Sequence, residues 1–257
     1  MKKVLPFLPK RPEKPRNSGL TMVMDKGLSI REAEDFMSVG SEYTDFVKLG
    51  FGTSLVTPGL SKKISIYKKA GAIPYFGGTL FEAFVIRNMF REYVKFLDKY
   101  KIDLVEVSDG SYDIESEHKL EYIRKLSKHR TVISEVGSKK KEVVYTPDQW
   151  VAMMKAELDA GSVKVIAEAR ESGTTGIYNE DGSINNSIIS AISEHVKLDN
   201  VIWEAPMKAQ QAWFIKHFGA NVNLGNIAPY EIIPLETLRL GLRGDIFFQF
   251  LPDNLTK

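Results

Sequence analysis

Short apolar runs alternate with amphipathic stretches along almost the whole chain. Eight runs stand out: LTMVMDKG (20–27), DFVKLGFG (45–52), AIPYFGG (72–78), DLVEVSDG (103–110), TVISEVGS (131–138), KVIAEARES (164–172), NVIWEAP (200–206) and ANVNLGNI (220–227). Each is rich in Val, Ile or Leu and has the length of a strand buried on both faces of a parallel sheet. The stretches between them carry helix signals. Ser29 followed by Glu32 forms a capping-box pattern, Thr79 opens one long helical pattern over 79–100, and Thr146-Pro147 combines a cap with a proline at the first helical position. Gly71, Gly161 and Gly219 sit where a left-handed helix end is expected. Eight strands and eight helical segments in strict alternation predict an α/β chain closed as a single-domain (β/α)8 TIM barrel, for which about 250 residues is typical. A doubly wound open sheet is the runner-up. Residues 1–17, with their prolines and charges, read as a short extended arm, and 18–257 as the barrel.

Composition narrows the function classes. The 257 residues are 43% hydrophobic and 26% charged, which suits a globular domain with a substantial core. A net charge of +2 gives no electrostatic case for nucleic acid or an anionic membrane as partner. The chain has no cysteine, which excludes disulfides, thiolate metal sites and Cys nucleophiles and fits a cytoplasmic location. No apolar run approaches the roughly 20 residues that span a bilayer, and the N-terminus lacks a long apolar stretch, so neither a membrane segment nor a signal peptide is expected.

Charge at the ends of the strands points to chemistry. Four runs place a Glu in or near their C-terminal end: Glu106, Glu135, Glu168 and Glu204. In a barrel, active sites sit at that end, and strand residues alternate between lumen and helix layer. A Glu on the helix side would be buried against apolar side chains, so all four are placed at the barrel mouth. Converging carboxylates repel unless a cation is present, and hard oxygen donors around a shallow cavity suit Mg²⁺. The other reading is a salt-bridge network with Lys48 and Arg170 that fills the lumen. Zinc is disfavoured, because His118, His129, His195 and His217 all fall on predicted helices without ligand spacing. GFGTS and FGGTLFE read equally as anion-holding helix starts or as tight turns. Asn223, Gly225 and Arg243 are phosphate candidates from their place near strand eight. Lys26, Lys48, Arg170 and Arg243 are the cations near strand ends that anionic substrates would meet.

The motifs GLTMVMDKG, DFVKLGFGTS, GGTLFE, VEVSDGS, SEVGSK, ARESG, WEAP followed by QQ, VNLGNI and LETLRLGLRGD occur in an order that resembles the phosphosulfolactate synthase family over about residues 18–246. The resemblance implies a (β/α)8 barrel that adds sulfite to phosphoenolpyruvate with Mg²⁺ as cofactor, and a homo-oligomer. It implies Glu106, Glu135 and Glu168 as the metal set and Lys139 as the acid that protonates C2 of the substrate. On the residues alone, Lys139 competes with Lys140 and Lys141. Lys26, Lys48, Arg170, Glu204, Asn223, Gly225 and Arg243 are left for the substrates. Phe76, Ala167, Ala169 and Gly225 depart from the family pattern, in which proline, isoleucine, glycine and alanine respectively resemble the usual form. A plant heat-stress-associated 32 kDa protein looks like the same barrel, so a non-catalytic role, or a lyase using another nucleophile on a phosphorylated enolate, stands as the alternative.

Overall fold

The computed structural model describes residues 4–138, 143–169 and 172–256. Its elements run β1 (Thr21–Asp25), α1 (Ile30–Gly40), β2 (Phe46–Leu49), α2 (Leu60–Lys69), β3 (Ile73–Phe76), α3 (Gly78–Val85), α4 (Phe90–Tyr100), β4 (Leu104–Val107) and α5 (Ser116–Ser127). They continue with β5 (Thr131–Val136), α6 (Pro147–Asp159), β6 (Ser162–Ala167), α7 (Asn186–His195), β7 (Val201–Glu204), α8 (Lys208–Phe218), β8 (Leu224–Ile227) and α9 (Ile232–Arg239). All paired strands are parallel, in the order β3-β2-β1-β8-β7-β6-β5-β4, and β3 touches β4 to bring the sheet almost to closure. This is the expected (β/α)8 barrel.

The predicted caps form as read. Ser29 Oγ accepts from Glu32 N at 3.2 Å while Glu32 Oε2 accepts from Ser29 N at 2.7 Å. Thr146 and Gln149 make the same reciprocal pair ahead of Pro147. Gly71 and Gly161 have positive φ, whereas Gly219 combines φ 85° with ψ 174° and so does not take the expected left-handed helical form. One helix differs. The pattern over 79–100 predicts a single helix, but the chain breaks it into α3 and α4. Asn88 takes a left-handed φ of 55°, and Arg87 N and Met89 N both donate back to Phe84 O. Asn tolerates that conformation because its short polar side chain can bond locally, so apolar periodicity continues across a real helix end.

The helix layer explains two departures from the family pattern. Phe76 points outward, with its ring 5.1 Å from Phe96 and 5.9 Å from Tyr100 on α4. Ala167 is fully buried in the core that α6, α7 and α8 share with the strands. Trp203 is also outward, stacked on Phe214 at 5.1 Å and Phe218 at 5.6 Å. Asp25 shows how a charge survives in this layer. Its Oδ2 lies 2.7 Å from Lys63 Nζ and accepts from Tyr67 OH at 2.6 Å, while Oδ1 accepts from Gly27 N and Leu28 N. Every lone pair it exposes to the core has a donor.

The N-terminal arm is docked rather than loose. Arg11 Nε lies 3.0 Å from Glu236 Oε1, and its guanidinium also donates to Gly19 O and Ala220 O. Arg16 Nε lies 2.9 Å from Asp45 Oδ1, and Lys164 Nζ reaches Asn17 O at 3.0 Å. These partners sit at the N-terminal ends of the strands, so the arm covers the end of the barrel opposite the mouth. Arg11→Ala should therefore strip a nearly buried Glu236 of its ion-pair partner and lower unfolding stability by about 3 kcal/mol. Urea unfolding checks this, and a loss below about 0.5 kcal/mol, the range of an ordinary surface change, would show the arm contributes nothing.

Candidate active site at the barrel mouth

Four strands bring one charged group each to the top of the lumen. Lys48 is the second-last residue of β2, Glu106 the second-last of β4, Glu135 the second-last of β5 and Glu204 the last of β7. Glu168 follows β6 directly, its N–H still donating to Val136 O at 3.0 Å. Strand parity therefore predicts their common face correctly, and all five are at least nine-tenths buried. Lys48 Nζ lies 3.0 Å from Glu135 Oε2, 3.1 Å from Glu106 Oε1 and 3.4 Å from Glu204 Oε1. Burial alone would pull this ammonium down. Glu106, Glu135 and Glu204 reverse that and hold its pKa well above the usual lysine value. Glu204 responds in the other direction: burial raises it, Lys48 only partly offsets that, and Glu135 adds repulsion, so it is pushed up to about 7.

Glu135, Glu168 and Glu204 each present a carboxylate oxygen within 4.8 Å of the others. Among the described residues this is the group able to hold a divalent cation, and its donor set of hard oxygens fits Mg²⁺. The sequence-based set differs by one member, with Glu106 in place of Glu204. The reason is visible at Glu106 Oε1, which accepts from Gly78 N at 2.5 Å as well as meeting Lys48. Glu106 is thus a brace from β4 to the start of α3. It crosses the β3–β4 seam, where Glu82 repeats the stitch by accepting from Ser108 Oγ at 2.6 Å and Ser111 N at 3.1 Å. A Cβ at Gly78 would lie 2.8 Å from Glu106 Oε1 and 2.1 Å from Ser108 Oγ, so only glycine lets the backbone approach. The motifs GGTLFE and VEVSDGS are two halves of one joint.

The other motifs support the loops. Glu204 Oε2 accepts from Ala169 N at 3.0 Å, and Tyr178 OH donates to Glu204 O at 2.6 Å. Gly176, at φ 71°, passes so close to Glu168 O that a Cβ there would sit 1.9 Å from it. Gln210, in the QQ pair, donates to Gly173 O at 2.9 Å and to Gly182 O at 3.3 Å. These contacts tie the described part of the β6–α7 connection to the end of β7 and the start of α8.

A cavity of about 800 Å³ opens above the cluster. Lys48, Glu135, Glu168 and Glu204 line it, and so do Thr79, in the FGGTLFE stretch already read as a possible anion-holding helix start, and Asn226, which the sequence reading did not single out. Several expected substrate residues lie elsewhere. Asn223 precedes β8, at the end of the barrel opposite the mouth. Its Oδ1 accepts from Leu20 N, and its Nδ2 donates to Asp199 O and Val201 O, so it is a strand-end clamp and not a phosphate ligand. Gly225 is embedded in the barrel wall, where a Cβ would lie 2.7 Å from Met22 Cε, so its role is to make room for Met22. Arg243 lies beyond α9, two residues before Asp245, whose Oδ1 is 3.0 Å from Lys208 Nζ at the start of α8, and it does not line the cavity. Lys26 is exposed just past β1. Lys139 and Arg170 lie outside the described residues. The four histidines are exposed on the surface, as expected.

Comparison with known proteins follows the same line. The profile of the (2R)-phospho-3-sulfolactate synthase family, ComA, matches residues 9–245. The chain is 41% identical over 243 residues to the phosphosulfolactate synthase of Methanothermobacter thermautotrophicus, covering 92% of this chain and 94% of that one. It is 40% identical over 244 residues to the phosphosulfolactate synthase of Bacillus subtilis, covering 94% and 97%. The HEAT-STRESS-ASSOCIATED 32 protein of Arabidopsis thaliana is 23% identical over 259 residues, covering 89% and 88%. Among solved structures, a 3-hexulose-6-phosphate synthase shares the fold with a TM-score of 0.56 at 17% identity, covering 88% of this chain and 99% of that one. With the profile spanning nearly the whole barrel, the chain belongs to the (2R)-phospho-3-sulfolactate synthase family.

Proposed function

We propose that this protein is a phosphosulfolactate synthase that adds sulfite to C3 of phosphoenolpyruvate in a Mg²⁺-dependent reaction, yielding (2R)-phospho-3-sulfolactate. The observation that carries the reading is the buried triad Glu135, Glu168 and Glu204 under a cavity at the mouth of a barrel of this family. The sulfur lone pair forms the new bond to C3, the C2–C3 π electrons move toward C2 and the carboxylate, and a proton delivered to C2 completes the addition with no leaving group. When bound, Mg²⁺ supplies Lewis-acid stabilisation of the negative charge that builds on the substrate carboxylate. Glu135, Glu168 and Glu204 would hold the ion.

The chain's own groups do the rest. Lys48 sets a positive charge among Glu106, Glu135 and Glu204 and partly offsets their mutual repulsion. Glu106 fixes the start of α3, and with it Thr79, against the cavity wall. The Gln210 and Tyr178 contacts tie the described part of the β6–α7 connection to the start of α8 and the end of β7. Lys139 is the proton donor that the family resemblance implies, and Arg170 a grip for a substrate anion, its fork suited to phosphate or carboxylate.

The direct test is incubation of purified protein with phosphoenolpyruvate, sulfite and Mg²⁺, with mass detection of the product. Phosphosulfolactate should accumulate, chelation should stop it, and added Mg²⁺ should restore it. Full turnover after exhaustive metal removal would remove the cation from the mechanism. Absence of product would favour the non-catalytic reading that the heat-stress relative suggests.

Lys139→Ala should lower the catalytic rate by about 10²-fold or more while leaving phosphoenolpyruvate binding intact, as expected for a lost general acid. Lys140→Ala and Lys141→Ala remove the same charge from neighbouring positions and should change the rate little. Equal small losses in all three would mean that these lysines supply only a diffuse positive field.

A further inference from the structure

The pairing of β8 with β1 is irregular at one place. Thr21 pairs with Leu224 and Val23 with Ile227, so two steps on β1 face three on β8. The extra residue is accommodated at Gly225–Asn226. Asn226 has a left-handed φ of 56°, inside a strand where neighbours are extended. Such a bulge re-aims a side chain, and bulges concentrate next to active sites. Here it reverses parity. Gly225 lies level with Glu204 on β7 and faces Met22 in the lumen, so regular alternation would send residue 226 to the helix layer. Instead Asn226 lines the mouth cavity, and Ile227 takes the helix-side place in the core.

The amide that the bulge delivers is oddly equipped for a structural role. Asn226 is only 9% exposed, and its Oδ1 is buried with no hydrogen-bond partner among the described residues. The backbone N–H of Asn226 makes a weak bond, to Met22 Sδ at 3.4 Å, that leaves the side-chain amide uninvolved. A buried amide atom left unsatisfied is costly, and so is a non-glycine residue in the left-handed region. Two costs at one residue, at the place where the bulge turns it to line the cavity, mark a group kept for a ligand. An amide can present either its oxygen or its NH₂ to that position by a half-turn about its last torsion. The cavity floor is carboxylate, so an anionic substrate needs donors from the walls, and a neutral NH₂ provides one without adding a charge that would compete with Lys48.

We propose that Asn226 is a substrate-binding residue whose side-chain amide donates a hydrogen bond to an anionic oxygen of phosphoenolpyruvate. This rests on the synthase reading and names one of its substrate contacts. Asn226→Gly is the cleanest probe, because glycine accepts the left-handed backbone and removes only the amide. Asn226→Asp keeps the shape and sets a negative charge against the substrate. Calorimetric titration with phosphoenolpyruvate in the presence of Mg²⁺, and steady-state kinetics with each substrate varied in turn, give the readouts.

Asn226→Gly should weaken phosphoenolpyruvate binding and raise its KM by about tenfold or more, as for a lost bond to a charged group, with the KM for sulfite near wild type. Asn226→Asp should weaken binding further. The thermal midpoint of Asn226→Gly should stay close to wild type or rise, which separates this role from a structural one. Wild-type affinity for phosphoenolpyruvate in both variants would overturn the assignment, and so would a rise confined to the KM for sulfite. In those cases an active wild-type enzyme leaves the synthase reading standing. A wild-type protein that neither binds nor turns over phosphoenolpyruvate would sink both.

Discussion

Everything at the mouth of this barrel depends on keeping four carboxylates in one nearly water-free place. Glu106, Glu135, Glu168 and Glu204 are each no more than 2% exposed. Removing such groups from water costs several kcal/mol each unless they are paired and hydrogen-bonded. Among the described residues Lys48 meets three of them, Glu135 at 3.0 Å, Glu106 at 3.1 Å and Glu204 at 3.4 Å. The upward push on Glu204 comes first from burial, which Lys48 only partly offsets, and then from repulsion by Glu135. One layer outward Asp25 and Lys63 form a one-to-one buried pair. At the mouth Glu135, Glu168 and Glu204 instead present oxygens within 4.8 Å of one another, an arrangement suited to receive a cation.

The rest of the fold absorbs the cost. The seam between β3 and β4 is closed at the top by Glu106 and Glu82 reaching backbone N–H groups across it. The far end of the barrel is closed by the docked arm and by Arg239, whose guanidinium donates to Leu20 O, Ala220 O and Val222 O. Lys119 ties α5 to α6 and β5 by meeting Asp109 at 2.8 Å, Glu157 at 2.7 Å and Glu135 O at 2.7 Å. Stability is concentrated in the wall, the base and the helix layer, which lets the mouth carry an arrangement that does not favour folding.

Much of this was legible in the sequence because it rests on short-range periodicity. Alternation gave the strand order of apolar runs, and parity placed Lys48 and the four Glu on one face without any knowledge of the partners. What failed were features that depend on registry between distant segments. The left-handed turn at Asn88 interrupts an unbroken apolar pattern, so two helices read as one. The eighth strand was read from residue 220 but starts at Leu224, which put Asn223 near a site when it lies at the opposite end. The bulge that turns Asn226 inward is invisible to alternation, since alternation is the rule it breaks. Equally out of reach is the contact of Glu106 with Gly78 N, a backbone N–H from a different strand–helix unit.

The central claim is that the cluster is kept for function at the expense of stability. Glu135→Gln and Glu204→Gln each remove one charge while Lys48 retains two other carboxylate partners, so neither strands a buried charge. The account predicts that urea unfolding, measured without divalent cation, shows these variants as stable as wild type or more so, with turnover of phosphoenolpyruvate and sulfite lost. Variants that unfold at lower urea and still make phosphosulfolactate would show the cluster to be structural and contradict the account.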